Sequence, residues 1–310
     1  MRALTAPQIT GTWATVLTPF HDDDSLNLAA LDHELDLLLA ARPEGLYTHG
    51  TAGEFFNQTE AEWNAVVTRV AERCENAALP FQLGASHPSP VVALERIRRA
   101  RSLEPSAIQV ILPDWIRINI DETRAVIEAY ATAADGIGLV LYNPPHAKNV
   151  LDPGQLDTLT REFEAIVGVK TADGDDGWYE AMRPTLQRVS VFVPGHHLAT
   201  GLTKGARGAY SNVACLHPAG AVSWARRSLE DPTWGLAVEA QIRAFLDKAI
   251  APLIAKQYSN VTLDKALAAA GGHLGDVGHV RWPHTTATPQ EVARIRGAAR
   301  KMLPELLAPL

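Results

Sequence analysis

Residues Ala165–Asp175 read A-I-V-G-V-K-T-A-D-G-D, and the reading of this stretch decides how the rest of the chain is taken. Ile166, Val167 and Val169 make a short apolar run that glycine and aspartate then interrupt. That is the pattern of a strand buried on both faces and ending in a functional loop. Lys170 stands at the end of the run. An ammonium group among apolar strand residues is costly unless it is paired or gives up its proton. A lysine with a depressed pKa is a nucleophile able to condense with a carbonyl and form a Schiff base. Taken alone, the same residue also reads as a strand-end lysine reaching back to water.

Outward from this strand, short β-branched runs alternate with longer helical ones. Strands are expected at Thr12–Pro19, Gly45–Thr51, Phe81–Ala85, Ala107–Leu112, Gly138–Tyr142, the Lys170 stretch, Val189–Val193 and Gly208–Asn212. Helices are expected near Asn27–Ala41, Gln58–Asn76, Val91–Ser102, Asp121–Ala134 and Pro153–Phe163. Leu31, Leu35, Leu38 and Leu39 recur at helical spacing in the first, and Thr59 with Glu62 resembles a capping box in the second. Eight strands with helices between them predict an α/β fold, a (β/α)8 TIM barrel, rather than an open sheet. A doubly wound sheet usually carries a phosphate loop after its first strand, and no G-x-G-x-x-G or Walker pattern occurs. From Ala221 the strands stop, and helices follow near Trp234–Tyr258, Thr262–Ala270 and Pro289–Leu306. The expected organisation is therefore a catalytic barrel over residues 1–220 with a C-terminal helical extension over 221–310 packed on it.

The totals suit this reading. A chain of 310 residues exceeds the usual single domain but fits one barrel with an appendage, and 46% hydrophobic residues give ample core. The net charge of −7 is spread along the chain with no basic tract, which argues against a nucleic-acid partner. No apolar run is long enough for a membrane span, and the first residues lack a signal-peptide core. Cys74 and Cys215 are far apart and form no metal-type pair, so a reduced, cytoplasmic setting is expected.

In such barrels the chemistry lies at the carboxyl ends of strands. The second strand runs into Gly50-Thr51-Ala52-Gly53-Glu54, where glycines would let backbone N–H groups approach a small carboxylate and Thr51 adds a hydroxyl. A tight turn with a helix cap is the plainer alternative. The fifth strand ends in Tyr142-Asn143-Pro144-Pro145, and a phenol one strand from the lysine could relay protons. Gly195-His196-His197 closes the seventh strand, where either histidine could touch substrate or only cap a helix. No ligand spacing supports a metal site among these, His49 and His146. Asp173–Asp176 reads as a solvated turn opening the next helix.

Together, G-T-x-G-E after the second strand, Y-N-x-P after the fifth and G-V-K after the sixth resemble the dihydrodipicolinate synthase / N-acetylneuraminate lyase family. The likeness extends to Gly11–Phe20, Gly205–Ser211 and Val280–Pro283. It implies a class I, Schiff-base aldolase or related lyase, a homo-oligomer (tetramer or dimer) with no metal and no cofactor beyond a covalent lysine imine. It implies that Lys170 condenses with the keto carbon of pyruvate or another 2-oxo acid, and that Tyr142 is the acid/base. Thr51 would bond the phenol and help hold the carboxylate with the N–H groups of Ala52 and Gly53, and Glu54 would be structural.

Several positions depart from the synthase pattern. Ala52 replaces a second threonine, Ala147 stands at the place of a substrate-gripping arginine, and Trp115 replaces a tyrosine that reaches into a neighbouring subunit. Lys148 would be a point charge without a bidentate grip. Tyr210 and Asn212 add polar groups near the expected imine, with Gly195, His196 and Trp115 as further substrate contacts. These departures argue against lysine biosynthesis. The expected activity is an aldolase or dehydratase acting on a 2-oxo acid such as a 3-deoxy-2-oxo sugar acid, with an aldehyde as a further partner if it is an aldolase. The alternatives are a hydratase-aldolase for an aromatic aldehyde–pyruvate adduct, which Trp115 and Tyr210 would suit, and a non-catalytic 2-oxo-acid-binding protein.

Overall fold

The computed structural model describes residues 2–276 and 278–308. Eight parallel strands close on themselves in sequence order: β1 (Gly11–Thr15), β2 (Gly45–Tyr47), β3 (Phe81–Gly84), β4 (Ala107–Val110), β5 (Leu139–Tyr142), β6 (Ile166–Lys170), β7 (Ser190–Pro194) and β8 (Gly208–Ser211). Between them run α1 (Leu28–Ala41), α2 (Glu60–Asn76), α3 (Pro90–Arg101), α4 (Ile120–Ala134), α5 (Pro153–Glu162), α6 (Asp176–Arg188) and α7 (Leu198–Thr203). Then follow α8 (Val213–Leu216), α9 (Pro218–Glu230), α10 (Pro232–Ala249), α11 (Ala251–Ile254), α12 (Asn260–Gly271) and α13 (Pro289–Met302). The expected (β/α)8 barrel with C-terminal helices is what forms.

The caps that the sequence advertises are made. Thr59 accepts from the Glu62 N–H and Glu62 reaches back to the Thr59 N–H, which starts α2. Asp175 accepts from the Trp178 N–H at 2.8 Å and starts α6, as the acidic turn suggested. Two helical expectations change. The run expected as one helix to Tyr258 breaks at Ile250, because Pro252 has no N–H to continue the ladder. The expected boundary at 220 falls inside α9, which packs against α1 and β1 in the helical layer of the barrel.

The strands are shorter than their apolar runs. In β1 the ladder stops at Thr15, and the Leu17 N–H turns to the side chain of Glu34 on α1. In β2 it stops at Tyr47, and Thr51–Gly53 coils into a single 3-10 turn. The interior of the barrel is aromatic: Trp13, Tyr47, Phe192 and Tyr210 pack together with Ile9, Ala107 and Val140.

Glu34 is buried, with Oε1 accepting the Leu17 N–H at 2.8 Å and Oε2 without a hydrogen-bond partner. Burial pushes its carboxyl up from 4.5 to about 8, against the Leu17 bond and the Lys265 charge. The native state keeps this proton where the unfolded chain has released it, so this group's contribution to stability falls as pH rises from 4.5 to about 8. Glu34→Gln keeps the acceptor for Leu17. It is expected to raise stability near the upper end of that window by about 1–3 kcal/mol, with the gain vanishing toward the lower end. Denaturant midpoints of both proteins across the window check this, and a gain independent of pH would contradict it.

Candidate active site

The carboxyl ends of the strands open into one cavity of about 530 Å³. Tyr142 and Lys170 face each other at its base because β5 and β6 pair them directly in register. Lys170 Nζ sits 4.0 Å from the ring centre of Tyr142, 4.7 Å from that of Tyr47 and 5.2 Å from that of Tyr210. It donates to Tyr47 Oη at 3.4 Å, and Tyr47 Oη also accepts from Thr15 Oγ1 at 2.6 Å. Gly50 permits this closeness: a Cβ there would lie 3.3 Å from Lys170 Nζ and 2.8 Å from the Tyr47 ring. Among the described residues, no carboxylate lies within ion-pair distance of the amine. Burial therefore dominates and pushes Lys170 down to about 7, with the more distant Asp264 and Cys215 acting the other way. At that value a large part of the amine is unprotonated near neutrality, as a carbonyl nucleophile must be.

Tyr142 Oη and Thr51 Oγ1 share a hydrogen bond of 3.0 Å. Burial raises the phenol's pKa, Thr51 lowers it, and Asp264 raises it further, so at neutral pH it carries its proton. Thr51 and Ala52 line the cavity, but Gly53 does not. The Gly53 N–H donates to the Gly50 carbonyl at 3.1 Å inside the 3-10 turn. A carboxylate at this turn would therefore meet the leading N–H groups, those of Thr51 and Ala52, which corrects the expectation for Gly53.

Other expected contacts are redirected. Tyr210 offers its ring to the cavity, but its hydroxyl points down the barrel and donates to Gln82 Oε1 at 2.7 Å. Gly195 lies outside the cavity lining, and a Cβ there would strike Asn212 Oδ1 and Ser211 Oγ at 2.7 Å, so its smallness seats Asn212. Asn212 lines the cavity and accepts from the His196 N–H at 3.2 Å, with its amide also against His196 Nδ1. Burial, helped by neighbouring His197, pushes His196 down to about 4, so it is a neutral imidazole. His197 also lines the cavity and meets the Asp173 carboxylate at 3.0 Å, which draws Asp173 out of the solvated turn. Trp115 is 83% exposed and outside this chain's cavity. His49 is buried, with one ring nitrogen against Thr48 and the other against Gln58, so both are occupied. Among the described residues no three His, Cys, Asp or Glu side chains gather as ligands around one point.

The sequence reading missed four contributors. Tyr47 lies on the inward face of β2, which the alternation in G-L-Y-T-H-G-T could have shown. Arg243 and Asp247, one helical turn apart on α10, reach the rim. Asp264 on α12 enters from above. An acid inside V-T-L-D-K-A-L-A-A-A was a visible anomaly, but its destination was not.

The turn that carries Thr51 is tied to α12 by a buried ion pair. Lys265 and Glu54 are both fully buried and bonded to each other, and Lys265 also donates to the His279 carbonyl at 2.9 Å. Glu54 is thus structural, through a partner 211 residues away.

A barrel with a desolvated lysine, a bonded phenol–threonine pair and a turn suited to a carboxylate defines a lyase of the class I aldolase type. Residues 8–300 match the model of the dihydrodipicolinate synthetase family, and the chain belongs to that family, whose enzymes work through a lysine–pyruvate Schiff base without a metal or external cofactor. It is 27% identical over 222 residues to the 4-hydroxy-tetrahydrodipicolinate synthase of Thermomicrobium roseum, spanning 71% of this chain and 72% of that one. Among solved structures, the dihydrodipicolinate synthase of Thermotoga maritima superposes with a TM-score of 0.84 at 21% identity, covering 97% of this chain and all of that one. The N-acetylneuraminate lyase of Mycoplasma synoviae gives 0.80 at 20% identity, covering 96% and 98%. At such identities the structural likeness carries the fold.

Lys265→Met leaves Glu54 as a buried, unpaired carboxylate and is expected to destabilise the protein by about 3–5 kcal/mol. Adding Glu54→Gln should return much of that loss, as urea titrations of the two variants would show; equal losses would mean that the pair is not coupled.

Proposed function

We propose that this protein is a Schiff-base lyase in which Lys170 condenses with the keto carbon of pyruvate or a longer 2-oxo acid. The single observation that carries the reading is the desolvated amine of Lys170, held against Tyr47 and Tyr142 and free of any carboxylate bond. The substrate carboxylate sits at the Thr51–Ala52 turn. The protonated imine then withdraws electrons from the neighbouring carbon, so a carbon–carbon or carbon–oxygen bond beside it can form or break. Tyr142 passes protons between the imine, the substrate and Thr51.

The upper cavity favours a hydroxylated substrate. Asn212, neutral His196, Asn260 and Asp264 line it with mixed donors and acceptors, and Arg243 and Asp247 stand at the rim. This supports an aldolase or dehydratase of a 3-deoxy-2-oxo sugar acid, with an aldehyde as co-substrate or product of an aldolase. Of the two residues that suited a flat ring, Tyr210 forms part of the cavity floor and Trp115 lies outside this chain's own cavity. Synthase activity for lysine biosynthesis has no support at the position of Ala147, which lies outside the cavity lining, while the Lys148 backbone N–H is bonded to Asp114 across the loop. Trp115 and its exposed neighbour Ile116 suit burial against a second copy of the chain, in keeping with a homo-oligomer.

Incubation with pyruvate and cyanoborohydride, followed by mass measurement and peptide mapping, is expected to place a permanent adduct on Lys170. On its acid side, the labelling rate should rise through about pH 7, because only the unprotonated amine attacks. Lys170→Ala should abolish both labelling and turnover, and Tyr142→Phe should slow turnover by about 10²–10⁴-fold. An unlabelled wild-type protein, or full turnover in the alanine variant, would overturn the reading and favour a binding role.

A further inference from the structure

Helix α12 belongs to the C-terminal extension, yet one of its faces is a wall of the active-site cavity. Asn260, Leu263, Asp264 and Leu267 all line that cavity, and their spacing of three and four residues puts them on one side of the helix. The adjacent Lys265 points elsewhere, into the buried bond with Glu54 that fixes α12 to the Thr51 turn. The helix is thereby held at a definite rotation, with Asp264 facing the cavity that holds the reactive lysine.

The Asp264 carboxyl has no hydrogen-bond or ion-pair partner in the protein among the described residues. Its charge acts on Lys170 of β6, Tyr142 of β5, Tyr47 of β2 and Cys215 of α8. The other titratable groups around the cavity are His146 after β5, His196 and His197 beyond β7, and Arg243 and Asp247 on α10. His197 is engaged by Asp173, and His196 is neutral. Tyr47, Tyr142 and Cys215 all have raised pKa values and hold their protons near neutrality. Of the two carboxyls that line the cavity, Asp264 is the one whose charge acts on Lys170.

We propose that Asp264 is a catalytic acid/base that shares one proton with Lys170 during Schiff-base formation. This rests on Lys170 being the Schiff-base lysine. The two groups share the cavity but stand beyond ion-pair distance, so in the resting pair the ammonium proton reaches the carboxylate by way of solvent, leaving a neutral amine and a neutral acid. The amine adds to the keto carbon, and transfer of a proton from nitrogen to oxygen gives the neutral carbinolamine. The Asp264 acid then gives its proton to the carbinolamine hydroxyl as the carbon–oxygen bond breaks. Water leaves, the nitrogen lone pair forms the iminium, and Asp264 is again a carboxylate whose charge offsets the cation. Burial supports the scheme from both sides. It raises Asp264 to about 7, against the Lys170 charge, and it lowers Lys170 to about 7, so the two titrate as a coupled pair over one range.

The test needs only pyruvate. With cyanoborohydride in excess, the wild-type rate of adduct formation should follow a bell in pH, falling on the acid side as the pair gains a second proton and on the alkaline side as it loses its last. Asp264→Asn, checked for folding by its circular dichroism melt, should label about 10²-fold more slowly at the optimum. It should lose the alkaline limb, and its acid limb should move to lower pH because Lys170 has lost the charge that raised its pKa. Asp264→Glu should keep both limbs at a reduced rate. An asparagine variant that labels at the wild-type rate, or more slowly with both limbs in place, would overturn the proposal, as would a folded glutamate variant without the alkaline limb. A wild-type protein that takes no pyruvate label at any pH would instead remove the Schiff-base reading itself.

Discussion

An ammonium group has been taken out of water at the mouth of a barrel without being given a carboxylate to bond. Most of the surrounding architecture serves that constraint. A closed parallel sheet sets all eight carboxyl ends on one side, so Lys170, Tyr142, Tyr47 and Thr51 converge although they come from three different strands and a turn. The aromatic rings exclude water while their faces still attract a cation, so the site tolerates both protonation states of the amine. A bonded carboxylate would have held the proton on nitrogen and disabled the nucleophile.

The helical extension is part of this arrangement. Arg281, in the loop between α12 and α13, donates to the Asp24 carbonyl at 3.0 Å and the Asn57 carbonyl at 2.9 Å, which ties that loop to segments flanking α1 and α2. Lys265 and Glu54 hold α12 to the turn that bears Thr51. Neighbouring residues on α12 thus do opposite things, Lys265 locking the helix and Asp264 facing the cavity. The electrostatic cost of burying the Lys265–Glu54 pair is offset by the backbone carbonyl of His279 as a second acceptor.

The redirected residues share a cause. Gly53, Gly195 and Tyr210 were expected at the substrate because they sit in or beside the right motifs. The 3-10 turn consumes the Gly53 N–H, the packing of Asn212 and Ser211 requires the absence of a side chain at Gly195, and Gln82 captures the Tyr210 hydroxyl. Each is a contact between segments distant in sequence or a local turn geometry, and residue type alone does not report either.

Alternating apolar runs and helical spacings were enough to determine the (β/α)8 barrel, because strand and helix periods are local properties of the chain. The same local signals placed Lys170, Tyr142 and Thr51 at strand ends, and those three do meet in one cavity. What the fold alone decided was everything set by burial and by long-range neighbours: the desolvation that lowers the Lys170 pKa, the hydrogen bond from Lys170 to the Tyr47 phenol, and the arrival of Asp264 from a helix nearly a hundred residues further along the chain. Proton affinity depends on what surrounds a group in three dimensions, and a linear order of residues does not carry that information.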